Sequence, residues 1–112
     1  MFTGFGPAVS KTAMKKMGEQ VRSWRLHRHT TATEQDLARW VNPIVSGWMN
    51  YYGRFYRSQL YPLLRRINGY LVRWMRQKYK RLRPFKKARA AWQRTTRQYP
   101  RLFAQWRWVS EF

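Results

Sequence analysis

Apolar side chains recur every three or four residues along most of this chain, which is the spacing of an amphipathic α-helix. The first such stripe consists of Met14, Met17, Val21 and Trp24. Ser10 stands one turn ahead of the stripe, and a serine at that position caps a helix by accepting a backbone hydrogen bond. The pattern therefore predicts a first helix that begins after Ser10 and frays near Arg28.

A second apolar stripe alternates steps of four and three and comprises Leu37, Val41, Ile44, Trp48, Tyr51 and Phe55. Two capping-box pairs are available at its start, Thr33 with Asp36 or Thr31 with Glu34. Asn42-Pro43 interrupts the stripe. Because proline favours the first turn of a helix, we expect Asn42 to be a second N-cap and the helix to kink there.

Two more stripes complete the pattern. After a predicted break at Arg57-Ser58, the third stripe contains Leu60, Leu64, Ile67, Leu71, Trp74, Met75 and Lys78. Pro84 is expected to end that helix, and a fourth stripe follows with Phe85, Ala88, Ala91, Trp92 and Thr95. Pro100 ends it, and Leu102, Phe103 and Trp106 are expected to fold back as an anchor. Since no strand alternation occurs, the sequence predicts an all-α fold, a small bundle of three or four helices.

The charge adds a second, independent signal. Lys and Arg total 24, Asp and Glu total 4, and the net charge is +20 in 112 residues. A small domain is ordinarily designed with a net charge of roughly 2–8. The acids are Glu19, Glu34, Asp36 and Glu111, so 74 consecutive residues lack a carboxylate. Such self-repulsion destabilises a compact chain unless a polyanion offsets it, which indicates a nucleic-acid partner.

The basic residues lie mostly off the apolar stripes, and arginine dominates between Arg54 and Arg97 with 11 Arg against 4 Lys. Arginine binds phosphate with two parallel hydrogen bonds and stacks on bases. The interspersed tyrosines could stack on unpaired bases or complete the core. Structured RNA, single strands or an RNA–DNA hybrid are favoured over sequence-specific duplex DNA, since no DNA-binding motif occurs. The candidate RNA contacts are Lys15, Arg22, Arg25, Arg28, Arg54, Arg57, Arg65, Arg66, Arg73, Arg76, Lys80, Arg81, Lys86 and Lys87.

Catalytic and metal-binding patterns do not emerge from the sequence. Cysteine is absent, only two histidines occur, and no carboxylate pair has the spacing for acid–base or metal chemistry. We therefore expect no catalytic residues, no metal and no cofactor. No apolar run approaches a membrane span and no signal peptide is evident, which favours a bacterial cytoplasmic or organellar protein that is not secreted. A cationic membrane-active protein remains a weaker alternative.

One segment is recognisable. Asn42-Pro-Ile-Val-Ser-Gly-Trp-Met-Asn-Tyr-Tyr52 resembles the signature N-P-I-x-x-G-W-x-N-Y-Y/F of the group II intron maturase-specific domain, also called domain X. The stretch from Tyr70 to Lys80 and the segment 102–106 are similar to two further family motifs, so the resemblance spans roughly residues 2–106. Two departures are Ser46, where many relatives carry Arg, and Gln105, which replaces a His.

The resemblance implies a thumb-like, non-catalytic domain of a reverse transcriptase-maturase. Such a domain binds group II intron RNA to assist splicing, or grips a template–primer duplex beside a palm in the same or a neighbouring chain. Residues 1–9 would be a linker, with Phe2-Thr3-Gly4-Phe5 similar to the one leaving the palm. The helical domain would cover 10–106, and 107–112 would be a tail. The alternative is a basic nucleic-acid-binding protein or fragment without splicing activity.

The signature itself is expected to be structural, with the surrounding cations contacting RNA. The apolar stripe places Trp48, Tyr51 and Phe55 in the core, and Gly47 would permit close packing at the predicted bend. The residues of this structural motif are Asn42, Pro43, Gly47, Trp48, Asn50 and Tyr51.

Overall fold

A computed structural model describes residues 10–112, and this part of the chain contains three α-helices and no strand. Helix α1 spans Lys11–Trp24, α2 spans Glu34–Lys78 and α3 spans Phe85–Gln98. Short 3₁₀ turns connect or follow them at Leu26–Arg28, Lys80–Leu82 and Ala104–Arg107. The predicted all-α class of three or four helices is confirmed. The linker expected at 1–9, including Phe2-Thr3-Gly4-Phe5, lies outside the described residues.

Helix α1 begins as predicted and ends sooner. The Ser10 side chain accepts a hydrogen bond from the Ala13 amide at 3.0 Å and so caps the N-terminus. The helix stops at Trp24 because Arg25 takes the left-handed conformation with φ 48°, which terminates the helical hydrogen-bond ladder. Met17, Val21 and Trp24 are buried, so the predicted stripe does face the core.

Helix α2 begins with the predicted capping box. The Thr33 hydroxyl accepts from the Asp36 amide, and an Asp36 carboxylate oxygen accepts from the Thr33 amide. The Thr33 backbone amide, together with the Arg39 guanidinium, holds the pKa of the exposed Asp36 carboxyl below its usual value. Two of the chain's four acids thus lie in the first turn of α2, where the helix dipole favours negative charge.

The kink predicted at Asn42-Pro43 was wrong, because α2 continues through Pro43. Pro43 is exposed, and on that side of the helix water can satisfy the carbonyl group that proline leaves without a partner. Asn42 is not an N-cap, since its side chain bonds to the C-terminal segment instead. The single non-helical residue inside α2 is Tyr56, with φ −130° and ψ 39°, next to the break predicted at Arg57-Ser58.

The two arms of α2, residues 34–55 and 57–78, run back alongside each other. The Tyr79 hydroxyl donates to a Glu34 carboxylate oxygen at 3.2 Å, and the Lys78 ammonium donates to the Ala32 carbonyl at 2.6 Å. A straight helix of 45 residues would hold its ends about 67 Å apart. The axis of α2 therefore reverses at Tyr56, and the molecule is built around this helical hairpin.

The core lies chiefly between the arms and α1. The N-terminal arm contributes Leu37, Ala38, Val41, Val45 and Met49; the C-terminal arm contributes Leu60, Leu63, Leu64, Ile67, Leu71, Val72, Trp74 and Met75. The core position predicted for Tyr51 and Phe55 was wrong, because these rings are 78% and 66% exposed. The buried seam of the first arm advances in steps of four and stops at Met49, short of the reversal. Trp48 is half-buried and stacks on Trp24, with ring centroids 5.9 Å apart.

The C-terminal segment crosses both arms and is held by two asparagines of α2. The Asn42 amide group donates to the Leu102 carbonyl at 2.9 Å, while its oxygen accepts from the Ala104 amide. Asn68, fully buried, donates to the Val109 and Glu111 carbonyls. Its oxygen accepts from the side chains of two further buried residues at 3.0 Å each, Gln105 and Trp106. The predicted anchoring role of this segment is confirmed.

Residues 107–112, expected to form a tail, also pack against the domain. Val109 is buried, and the Trp92 indole of α3 donates to the Ser110 carbonyl at 2.6 Å. The Phe112 ring lies edge-on to Trp92, with centroids 5.7 Å apart. Residues 107–112 therefore pack over α3, and the Ser110 carbonyl supplies the acceptor that the N–H group of the buried tryptophan requires.

Candidate nucleic-acid interface

All but one of the fourteen cations proposed from the sequence are exposed. The exception is Arg76, which is half-buried and donates from Nε to the Arg83 carbonyl at 2.9 Å. Because this guanidinium already donates to a backbone carbonyl in the loop after α2, it is a poor candidate for a phosphate contact. Lys78, outside the proposed set, is similarly engaged with the Thr30 and Ala32 carbonyls.

Four of the exposed cations meet along the contact between α1 and the C-terminal arm of α2. Lys15 and Arg22 lie two turns apart on α1, and Arg66 and Arg73 lie two turns apart on α2, so each pair projects from one face of its helix. Two adjoining shallow pockets are lined by these side chains, and Arg22 and Arg66 belong to both. We call the surface of Lys15, Arg22, Arg66 and Arg73 the basic groove.

Gly18 of α1 lies against the end of the Arg66 side chain in this groove. A Cβ atom added at Gly18 would lie 2.9 Å from an Arg66 guanidinium nitrogen, closer than non-bonded atoms normally come. The missing side chain therefore makes room for Arg66 against α1. Gly18 is buried in the middle of α1, and its position within an apolar helical stripe was the signal from which this close contact could have been predicted.

One end of the groove contains a ring stack that the sequence did not single out. The rings of His27 and Tyr70 lie 5.7 Å apart and 21° from parallel, and the Arg73 guanidinium is 5.6 Å from the centre of Tyr70. Burial lowers the pKa of His27 below its usual value, and the charges of Arg73, Arg28 and Arg25 lower it further. Arg25 and Arg28 are exposed and lie within two residues of His27 in the chain, so positive charge is also present beyond this end of the groove.

In the described part of the chain, no carboxylate forms an ion pair with the four cations of the groove. In residues 10–112 the only ion pair joins Arg39 to Asp36 at 2.8 Å, and neither residue is part of the groove. Glu19 lines one of the two pockets, yet no carboxylate oxygen comes within 4.0 Å of the four groove cations. Cations without a protein counter-ion bind phosphate with the release of condensed counterions, which favours association.

The remaining candidates lie elsewhere and are not brought together with the groove. Arg54 and Arg57 flank the reversal of α2, where Arg57 lies 4.5 Å from the centre of the Trp108 ring. Arg81 packs near Tyr79 after the end of α2. Arg65, Lys80, Lys86 and Lys87 are exposed and line neither groove pocket. The fourteen residues thus form several surfaces, of which the groove is the one built from two helices.

The family signature contributes less to packing than its prominence in the sequence suggests. Gly47 has no atom within 4 Å of an added Cβ, so the close packing predicted for it was wrong. Asn50 is exposed, as is Tyr51. The glycine that packing requires here is Gly53, where an added Cβ would overlap the Trp108 ring.

Comparison with known proteins gives one match. A family model described as "Group II intron, maturase-specific domain" matches residues 14–110. No curated protein and no solved structure matches significantly. Within residues 10–112 no helix has the length and apolarity needed to cross a membrane. The same residues contain no group of three His, Asp or Glu side chains placed to hold a metal ion.

Proposed function

This chain belongs to the group II intron maturase-specific domain family, and from that membership we propose that it binds group II intron RNA through the basic groove and assists splicing. The RNA would carry the splicing chemistry, and the protein would position phosphates. Within a larger protein the same surface would serve as the thumb that grips the template–primer duplex of a reverse transcriptase. The observation that carries the proposal is the groove, in which cations of two helices meet and no carboxylate oxygen lies within 4.0 Å of them.

The groove suits a folded polyanion better than an isolated anion. Cations two turns apart on a helix are separated by about 10.5 Å along its axis, so the two pairs span several phosphates. Arg22, Arg66 and Arg73 offer planar guanidinium groups that bind phosphate oxygens in pairs. Two rows of cations on neighbouring helices therefore favour a ligand in which strands are held side by side.

The test compares the groove with an equal loss of charge elsewhere. The triple variant R22Q/R66Q/R73Q removes three groove charges, and R89Q/R94Q/R97Q removes three exposed charges from α3. Affinities for folded group II intron RNA are measured over a range of salt concentrations. We expect the groove variant to reduce the slope of log K against log salt by about 3, since each phosphate contact contributes about 1. The α3 variant should change the slope less.

Two outcomes would count against the proposal. Equal losses in the two triple variants would mean that net charge, and not the groove, determines affinity. Equal affinity of the unsubstituted protein for folded intron RNA and for unstructured RNA of the same length would reduce the function to general polyanion binding. Thermal unfolding of each variant, followed by circular dichroism, separates lost binding from lost structure.

A further inference from the structure

Two large aromatic rings project into solvent beside the reversal of α2. Tyr51 and Phe55 are 78% and 66% exposed, more than any other large hydrophobic side chain in residues 10–112. They are four residues apart on a helix and so lie on one face. Arg54 and Arg57, also exposed, flank them. We call Tyr51, Phe55, Arg54 and Arg57 the aromatic tip.

The exposed rings rest on a fixed base. The Tyr51 ring stands perpendicular to Tyr52 with centroids 4.8 Å apart, and Phe55 lies 6.5 Å from Tyr56. Tyr52 and Tyr56 are half-buried and pack against the core. On the same part of α2, Trp108 lies against Gly53 and beneath the Arg57 guanidinium. The tip is thus braced from the core side, which lowers the entropy cost of presenting two rings to a ligand.

The charges around the tip indicate what covers it. The Arg54 guanidinium lies 5.4 Å from the centre of the Phe55 ring, and no carboxylate occurs between residues 37 and 110. A protein surface would have to supply both apolar area and negative charge to fit there. An unpaired segment of RNA supplies both at once, because its bases stack on aromatic rings and its phosphates meet arginine.

We propose that the aromatic tip binds unpaired nucleobases of the RNA, with Tyr51 and Phe55 as stacking surfaces and Arg54 and Arg57 on the adjoining phosphates. This inference rests on the proposed function and adds to it a second contact of different chemistry. The groove would recognise phosphates of the folded RNA, whereas the tip would recognise bases that the fold leaves unpaired.

The experiment removes the rings from the protein and the bases from the RNA in turn. The variant Y51A/F55A is compared with Y51F/F55Y, which keeps both rings. The RNA is a hairpin with a short single-stranded extension, made either with normal bases or with abasic riboses that keep every phosphate. On the normal extension we expect Y51A/F55A to bind about tenfold or more weakly than the unsubstituted protein. Y51F/F55Y should remain within about twofold, since stacking tolerates either ring.

The abasic extension gives the decisive readout. The unsubstituted protein should lose about the same factor on abasic RNA as Y51A/F55A loses on normal RNA, and the two losses should not add. Equal loss by Y51A/F55A on both RNAs would overturn the inference, because the rings would then act without bases. An unchanged affinity of Y51A/F55A for the normal RNA would also overturn it, and a protein surface would then be the better candidate for covering the two rings. These outcomes are independent of the salt slope that tests the groove, so either proposal can fail alone.

Discussion

The two arms of α2 are equal in length and differ in which side chains they bury and expose. The N-terminal arm carries the most recognisable segment of the chain, yet its last two turns expose Tyr51 and Phe55. The C-terminal arm buries eight apolar side chains, contains the fully buried Asn68 and presents Arg66 and Arg73 to the groove. The difference teaches that the residues by which a family is recognised need not be those on which the fold depends.

The largest expected effect contrasts the two asparagines that hold the C-terminal segment. Asn68→Ala leaves the Val109 carbonyl and two side-chain donors without partners in the interior, and it also removes the partner of the Glu111 carbonyl nearer the surface. Buried groups left unpaired cost about 1–3 kcal/mol each. We expect a loss of about 4 kcal/mol in the free energy of unfolding. Asn42→Ala removes two bonds at a half-buried position and should cost about 1 kcal/mol. Chemical denaturation measures the free energy of unfolding of both variants. An equal loss in the two would contradict the expectation that the C-terminal arm contributes more to holding the C-terminal segment.

The second contrast lies within the N-terminal arm. Met49 is 1% exposed whereas Tyr51, two residues later, is 78% exposed. Met49→Ala should lower the free energy of unfolding by about 3 kcal/mol through the cavity it leaves. Tyr51→Ala should change it by no more than about 0.5 kcal/mol. Urea denaturation measures the free energy of unfolding of the two variants. A large loss in Tyr51→Ala would mean that Tyr51 is in the core, as the apolar periodicity predicted.

The third contrast concerns two glycines six residues apart. At Gly53 an added Cβ meets Trp108, so Gly53→Ala must displace that ring and should destabilise the fold by about 1–2 kcal/mol. At Gly47 the space is open, and Gly47→Ala should stabilise the helix by about 0.5–1 kcal/mol. Thermal midpoints should shift in opposite directions. A fall in both would mean that Gly47 has a packing role after all.

The smallest effect is a pH dependence that distinguishes His27, in the turn after α1, from Asp36, in the first turn of α2. Because the folded-state pKa of His27 lies below its usual value, the unfolded chain binds more protons there, and stability falls as pH drops below about 6.5. His27→Gln should therefore make the thermal midpoint depend less on pH between neutral pH and the folded-state pKa of His27. Asp36, whose pKa is also lowered, acts in a separate window and loses its contribution only as pH falls below about 3.9. If the thermal midpoint of His27→Gln depends on pH as strongly as that of the unsubstituted protein, a group other than His27 causes the pH dependence.

Much of the fold follows from local chemistry and was predictable. Ser10 and the Thr33–Asp36 box mark the starts of α1 and α2, because a cap needs only a side chain and a neighbouring amide. The buried faces of α1 and of the C-terminal arm match their apolar stripes, since helical spacing alone decides which residues share a face. The stripe of α3 is matched at Ala88, Ala91 and Trp92, whereas the core position predicted for Phe85 was wrong because this ring is 51% exposed. The strong excess of positive charge, and with it the expectation of a polyanionic partner, follows from a composition in which four acids cannot balance 24 basic residues.

Other features depend on contacts between segments distant in sequence, and the sequence read alone placed them wrongly or not at all. Asn42 has the composition of an N-cap, but the segment around Leu102 offers its side chain better partners. Tyr51 and Phe55 continue an apolar stripe, yet beside the reversal at Tyr56 no element within residues 10–112 covers them. The basic groove requires α1 to lie against the C-terminal arm, with Gly18 beneath Arg66. Sequence therefore determined the helices, their charge and their family, while tertiary packing decided which rings are buried and which cations meet.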